Sequence, residues 1–144
     1  MIIIDNLKAR LKKYCSNLTA YLIIPTHLHL IIYTPEGESI SDFMRDLKRY
    51  SSKDIRSRLY IDKRNDILDV FKKESLTGGY KVWQDRFDDY IITSEHMLEV
   101  KMGYIHDNPG RAGLVKEITD WKYSSARNYY LDDNSIIEVG FPED

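Results

Sequence analysis

The sequence predicts an α+β fold, an antiparallel sheet with helices packed on it, and three observations predict it. β-branched and aromatic residues crowd the run from Tyr21 to Tyr33. Segments on either side repeat apolar residues at helical spacing. Strands and helices then mix in an order that suits an antiparallel sheet. The first helix is expected over about Asn6 to Leu18, where Leu7, Leu11, Tyr14 and Leu18 share a face and Asp5 can cap the start. Tyr21 to Ile24 and His27 to Tyr33 read as two strands, or one bent strand, interrupted at Pro25-Thr26. Pro35-Glu36-Gly37 closes that run in a turn.

A long helix should follow from about Ser39 to Leu59, with Ile40, Phe43, Met44, Leu47, Tyr50 and Ile55 as its apolar stripe and Ser39 or Ser41 as its cap. A shorter helix is expected near Ile67 to Lys73, then extended stretches at Tyr80 to Gln84 and Tyr90 to Ile92. The next helix starts near Ser94 and should stop at about Asn108, because Pro109-Gly110 follows. A last short helix is placed near Ser124 to Tyr130.

With 144 residues, 7 glycines, 4 prolines and no linker, the chain is expected to form one domain over residues 1–144. A single cysteine, Cys15, excludes an internal disulfide and a multi-thiolate zinc site. No apolar run reaches the ~18–20 residues of a membrane span, and Asp5 interrupts Met1-Ile2-Ile3-Ile4 before it could serve as a secretory signal, so no membrane partner and a cytoplasmic location are expected. The net charge of -2 excludes a bulk polycation but leaves room for a local basic patch. Such a patch lies between Arg45 and Arg64, where eight cations face Asp46, Asp54 and Asp62. It is either a solvated helix face or a surface that tracks phosphates.

Two features carry chemistry. His27 and His29 stand two apart in an extended run, so they share a face and can converge on one ion, or remain plain strand histidines. Tyr104 and Asn108 stand four apart on a helix, on one face, while Leu98, Met102 and Ile105 form a separate core stripe. A phenol with a pKa near ~10 needs a base, a cation or a metal-polarised electrophile beside it to attack. The Asn108 amide oxygen could join two imidazoles as a third ligand and bring such a metal to the Tyr104 hydroxyl. Tyr50, among the cations, is the rival nucleophile, with burial in the apolar stripe the expected outcome.

Four stretches, in order, resemble a known family. Ile24-Pro25-Thr26-His27-Leu28-His29-Leu30-Ile31 is similar to the histidine–hydrophobe–histidine strand of the single-tyrosine transposases. Val82-Trp83-Gln84-Asp85-Arg86-Phe87 resembles the Trp-Gln…Phe segment of their REP-associated branch. Tyr104-Ile105-His106-Asp107-Asn108-Pro109, continuing to Ala112-Gly113-Leu114-Val115, resembles that branch's Tyr-Ile-x-x-Asn-Pro-x-x-Ala-Gly-Leu-Val. Asp120-Trp121-Lys122-Tyr123-Ser124-Ser125-Ala126 is similar to its Asp-Trp-x-x-Ser-Ser-Ala.

The resemblance implies a ferredoxin-like sheet with the two histidines on a central strand. It implies that Tyr104 attacks single-stranded DNA at a hairpin, forming a 5′-phosphotyrosine bond and releasing a 3′-hydroxyl. His27, His29 and Asn108 would hold one Mg²⁺ or Mn²⁺. Lys48, Arg49, Lys53 and Arg56 would meet phosphates, with Arg111 near the active site. Trp83 could stack on an unpaired base or pack in the core, and Trp121 is expected in the core. His106 points off the Tyr104 face and is left out of the ligand set.

Two departures stand out. Thr26 replaces the family's Asn before the first histidine, which puts a supporting hydrogen bond in question. The family also starts with a central strand, whereas here only Met1 to Ile4 precede the first helix, so these residues form a stub, a partner chain fills the gap in a homodimer, or the strand is truncated. Against the transferase stand two other readings, an inactive DNA-hairpin-binding module and a metal hydrolase of small phosphoesters.

Overall fold

The computed structural model describes residues 1–84 and 88–143. Asp85, Arg86 and Phe87 of the Trp-Gln…Phe stretch lie outside the described residues. The elements are α1 (Ile2–Lys13), β1 (Asn17–Ile24), β2 (His27–Tyr33), α2 (Ile40–Ile61), α3 (Asn65–Lys73), α4 (Glu95–Arg111), a 3-10 turn (Ile118–Asp120) and α5 (Ala126–Leu131). They gather into two compact units, Met1–Arg10 with Ser39–Asp89, and Leu11–Glu38 with Tyr90–Asp144. The α+β class holds, with helices and one two-stranded antiparallel sheet among the described residues. No helix among the described residues is long and apolar enough to cross a membrane.

In the second unit, β1 and β2 pair from Asn17↔Tyr33 to Ile24↔His27, so Pro25-Thr26 is a two-residue hairpin connection. β1 is buried along Leu18 to Ile23, on both faces, which is why it reads as a continuous apolar run instead of an alternation. Its other edge is covered by irregular chain. Ile23 N–H donates to the Tyr123 carbonyl at 2.9 Å, Ser125 N–H to the Tyr21 carbonyl at 2.9 Å and Gly140 N–H to the Leu18 carbonyl at 2.9 Å. The Trp121 indole N–H donates to the Ile23 carbonyl at 2.9 Å, which ties this ring to β1, though it is half-buried and not in the core as expected.

In the first unit, α2 starts where expected, with the Ser39 hydroxyl accepting from Asp42 N–H at 3.2 Å. Phe43 and Leu47 are fully buried on its inner face, and α3 packs against it. The Trp83 indole N–H donates to the buried Ser51 hydroxyl at 3.0 Å, which ties that ring to α2.

Several expectations need correction. Met1 to Ile4 are no strand stub, because α1 already runs from Ile2, with Ile4 and Leu7 buried one turn apart. Asp5 is therefore in the first turn, its carboxylate 3.5 Å from the terminal amine, and is not the cap. The histidine strand β2 is an outer strand of the described sheet, paired only with β1. Tyr80 to Gln84 and Tyr90 to Ile92 form no ladder among the described residues, and Tyr90 and Ile91 are exposed, with no apolar face to hold a strand.

α1 ends at Lys13, not Leu18. Cys15 sits in the left-handed region at φ 49°, Cys15 N–H donates to the Lys12 carbonyl at 3.3 Å, and Ser16 N–H donates to the Leu11 carbonyl at 2.9 Å. This closes the helix as a Schellman motif, usually built with glycine. A cysteine there carries Cβ strain of about 1 kcal/mol. Replacing Cys15→Gly should therefore raise the urea-unfolding free energy by roughly 0.5–1 kcal/mol. A Cys15→Gly variant less stable than the parent in urea titration would show that the left-handed residue is not strained.

Candidate active site

β2 sets the first half of the site. Strand alternation puts His27 and His29 on one face, with ring centroids 6.0 Å apart and planes within 15°. His27 is exposed and His29 half-buried. The Thr26 hydroxyl lies 2.7 Å from His27 Nδ1, so the threonine that departs from the family pattern supplies a hydrogen bond to this ring. Burial, then the neighbouring His27 and then Arg111, hold the His29 pKa below the ordinary imidazole value. His29 is therefore neutral near pH 7, with a lone pair available to a ligand.

α4 sets the second half. Ser94 caps it, its hydroxyl accepting from Met97 N–H at 3.1 Å. Ile105 and His106 are buried while Tyr104 is 56% exposed, so the helix is anchored without using the phenol. The Tyr104 ring meets His29 edge-on, with centroids 6.5 Å apart and planes at 75°. His106 faces away and is structural. Its Nε2 lies 2.7 Å from the buried Ser125 hydroxyl, and its ring packs against Tyr129 and Tyr130.

The helix does not stop at Asn108. It continues through a fully buried Pro109 to Arg111, although proline at 109 has no N–H to give the Ile105 carbonyl. What ends it is Gly113, at φ 73°, with Leu114 N–H donating to the Pro109 carbonyl at 2.9 Å and Gly113 N–H to the Gly110 carbonyl at 3.1 Å. That extra turn returns Arg111 to the site. Its guanidinium lies 4.3 Å from the Tyr104 ring centroid and donates to the Tyr104 carbonyl at 2.6 Å.

Asn108 stands one helical turn beyond Tyr104, and its Oδ1 is buried without a hydrogen-bond partner. A buried carbonyl oxygen left unpaired is costly, and native structures keep few of them. Among the described residues no group of three His, Cys, Asp or Glu could hold a metal ion. Two imidazoles with an unpaired amide oxygen are nevertheless donors that suit a divalent ion of middling hardness.

The basic residues of α2 lie in the other unit. Lys48 is half-buried and its ammonium donates to the Gln84 carbonyl at 3.2 Å. Arg49 and Lys53 are exposed, while Arg56 donates to the Ser52 carbonyl at 3.3 Å and stands 5.4 Å from the Tyr80 ring centroid. Tyr50 is not buried as the apolar stripe suggested. It is 39% exposed, with the Arg10 guanidinium 4.3 Å over its ring and Arg49 at 5.8 Å. Arg10 is a contact that sequence reasoning missed, since nothing in its spacing ties it to a residue so distant in the chain.

The family described as transposase IS200-like matches residues 3–108. This chain belongs to the IS200-like transposase family. Among the relatives of this transposase chain is a candidate REP-associated tyrosine transposase of Haemophilus influenzae, 27% identical over 150 aligned residues that cover 98% of this chain and 75% of the relative. A REP-associated tyrosine transposase of Escherichia coli K12 is 25% identical over 109 residues, 75% of this chain and 53% of the relative. The chain thus spans about half the length of the second and three quarters of the first. In fold it is similar to the structure of a REP-associated tyrosine transposase bound to a REP hairpin, with a TM-score of 0.69, 21% identity, and coverage of 100% of this chain and 75% of that one.

An unpaired Asn108 Oδ1 makes a stability prediction. Replacing Asn108→Leu in the metal-free protein should leave urea stability unchanged or raise it by up to about 1 kcal/mol, because a buried acceptor without a partner is removed. A loss above ~2 kcal/mol would mean that the amide is already bonded in the free protein.

Proposed function

We propose that this transposase-family chain is a strand transferase for single-stranded DNA at hairpins, with Tyr104 as its nucleophile. The observation that carries the reading is the exposed Tyr104 phenol, edge-on to His29 and beneath the Arg111 guanidinium. In the reaction the Tyr104 Oη forms a bond to the scissile phosphorus and the bond to the 3′ oxygen breaks. The phenol proton leaves to water, and the departing oxygen takes up a proton to become a 3′-hydroxyl. The DNA stays attached as a 5′-phosphotyrosine ester, so rejoining by a 3′-hydroxyl reverses the step without an external energy source.

His27, His29 and Asn108 would hold a Mg²⁺ or Mn²⁺ ion, which supplies Lewis-acid polarisation of the scissile phosphate. A His27 whose Nδ1–H donates to Thr26 keeps its lone pair on Nε2 for that role. Arg111 holds the Tyr104 ring from one side and brings a positive charge to the phosphate oxygens. Lys48, Arg49, Lys53 and Arg56 on α2 are the proposed contacts to the DNA backbone. The hairpin bound in the fold relative's structure supports the substrate class.

With a labelled hairpin oligonucleotide and Mn²⁺, the protein should form an adduct that survives denaturing electrophoresis. Tyr104→Phe should abolish the adduct and change hairpin affinity by less than about twofold, since an uncharged hydroxyl neutralises no phosphate and adds little to binding. An adduct that persists in Tyr104→Phe and disappears in Tyr50→Phe would transfer the nucleophile to Tyr50. Binding without any adduct would make the protein a hairpin-binding module.

Metal binding has its own readout. Mn²⁺ at ~100 times its dissociation constant should stabilise the protein by about 2.7 kcal/mol, and chelation should reverse this. His29→Ala and Asn108→Leu should each lose most of that stabilisation. An equal Mn²⁺ shift in both variants would remove these residues from the ligand set.

A further inference from the structure

In the first unit, α1 lies antiparallel to α2. Asn6 Nδ2 donates to Asp54 Oδ2 at 2.9 Å, and one turn on, Arg10 stacks on Tyr50. The two contacts step by four residues on each helix in opposite directions, so α1 delivers the Arg10 guanidinium to the middle of the basic run. The residues of that run are not equivalent. Arg45 is paired with Asp42 at 2.9 Å and Asp46 at 3.5 Å, Arg58 with Asp62 at 3.0 Å, and Arg64 with Asp66 at 2.9 Å. Arg10, Arg49 and Lys53 make no ion pair among the described residues. The one carboxylate a turn beyond Tyr50, Asp54, is taken up by the neutral amide of Asn6.

Arg10 is also set apart by its solvation. Its Nε is buried with no hydrogen-bond acceptor. The side chain is held by the Tyr50 ring, leaving the two terminal nitrogens as the donors it can offer. A guanidinium fixed in this way loses little freedom when it binds, and its paired N–H groups match the oxygens of a phosphate. Arg49 lies 5.8 Å from the same ring centroid, and Lys53 is one turn from Arg49 on the same helix face.

We propose that Arg10, Arg49 and Lys53, organised around the Tyr50 ring, form a binding site for the phosphodiester backbone of DNA. The site deepens the transferase reading and rests on it for the choice of a nucleic acid over another polyanion. It adds a residue of α1 to the basic helix and leaves out the arginines already matched by carboxylates. It reads no bases, so it contributes affinity and register in place of sequence choice.

The test uses the full chain and two labelled hairpin oligonucleotides with unrelated stems, titrated between about 50 and 200 mM salt. Arg10→Gln, Arg49→Gln and Lys53→Gln should each weaken binding about three- to fivefold, equally on both hairpins, and lower the salt slope by roughly one. Tyr50→Leu should weaken binding as much as Arg10→Gln, because the ring that holds Arg10 is gone. Arg58→Gln should stay within about twofold of the parent, since Asp62 already matches its charge.

If Arg10→Gln fails to fold by circular dichroism, Lys53→Gln, on an exposed side chain, still decides. Parental affinity and slope in Arg49→Gln and Lys53→Gln would overturn the site, as would an equal loss in Arg58→Gln. A covalent adduct with the parent chain alongside unaffected variants would overturn the site alone. Variant-dependent binding without any adduct would overturn the chemistry and uphold the site. No hairpin binding by the parent would overturn both.

Discussion

β1 is the strand on which both halves of the candidate active site hang. It pairs with β2, which carries His27 and His29, and it takes the packing of α4, which carries Tyr104. Because Leu18 to Ile23 are buried on both faces, a one-residue register shift of β1 would swap the side chains packed on its two faces and displace the loop that covers its edge. A slip would also break the bonds to Tyr123, Ser125 and Gly140. The core packing of β1 thus supports the edge-on contact between His29 and Tyr104 from beneath.

The Asp120-Trp121…Ala126 stretch gains a physical meaning from this arrangement. Trp121 bonds the Ile23 carbonyl, Ser124 bridges Leu22, and Ser125 bonds the Tyr21 backbone through both its own backbone and its hydroxyl. The same hydroxyl meets His106 on α4. One buried serine therefore links β1 to the helix that carries Tyr104. This segment and His106 do their work as scaffold, and Tyr104 is free to stay at the surface because His106 and Ile105 hold α4 down.

The sequence made the histidine hairpin, the long helices and a serine cap on α2 legible, since apolar spacing and Ser39 are local signals. It also paired His27 with His29 and placed Tyr104 and Asn108 on one helix face, because both pairings follow from fixed periodicities. It missed the ends of α1 and α4 because the residue that ends each helix is set by backbone conformation. Cys15 adopts a left-handed φ that favours glycine, and Pro109, a normal stop signal, is absorbed by burial so that Gly113 ends α4 instead. The second miss matters chemically. Only because α4 runs past Pro109 does Arg111 return over Tyr104. Tyr50 escapes the sequence pattern for a related reason: its apolar spacing is real, but the long-range partner of its ring is a cation, not the core.

Charge poses the harder problem for a sequence, and here pairing decides more than count. The cations between Arg45 and Arg64 look alike in one dimension, yet Arg45, Arg58 and Arg64 spend their charge on carboxylates two to four residues away, or next door in the case of Asp46. An exposed pair of that kind offers little to an incoming anion, because its field is already balanced within a few ångströms. The cations without such neighbours set the local potential. The same logic governs the candidate active site, where Arg111 sits on an aromatic ring and a carbonyl with no carboxylate partner among the described residues, and where burial, the neighbouring His27 and Arg111 hold the His29 pKa down. On the proposed reading, the two imidazoles and the unpaired amide oxygen would supply lone pairs to a divalent cation, and the guanidinium without a carboxylate would supply charge to a phosphate.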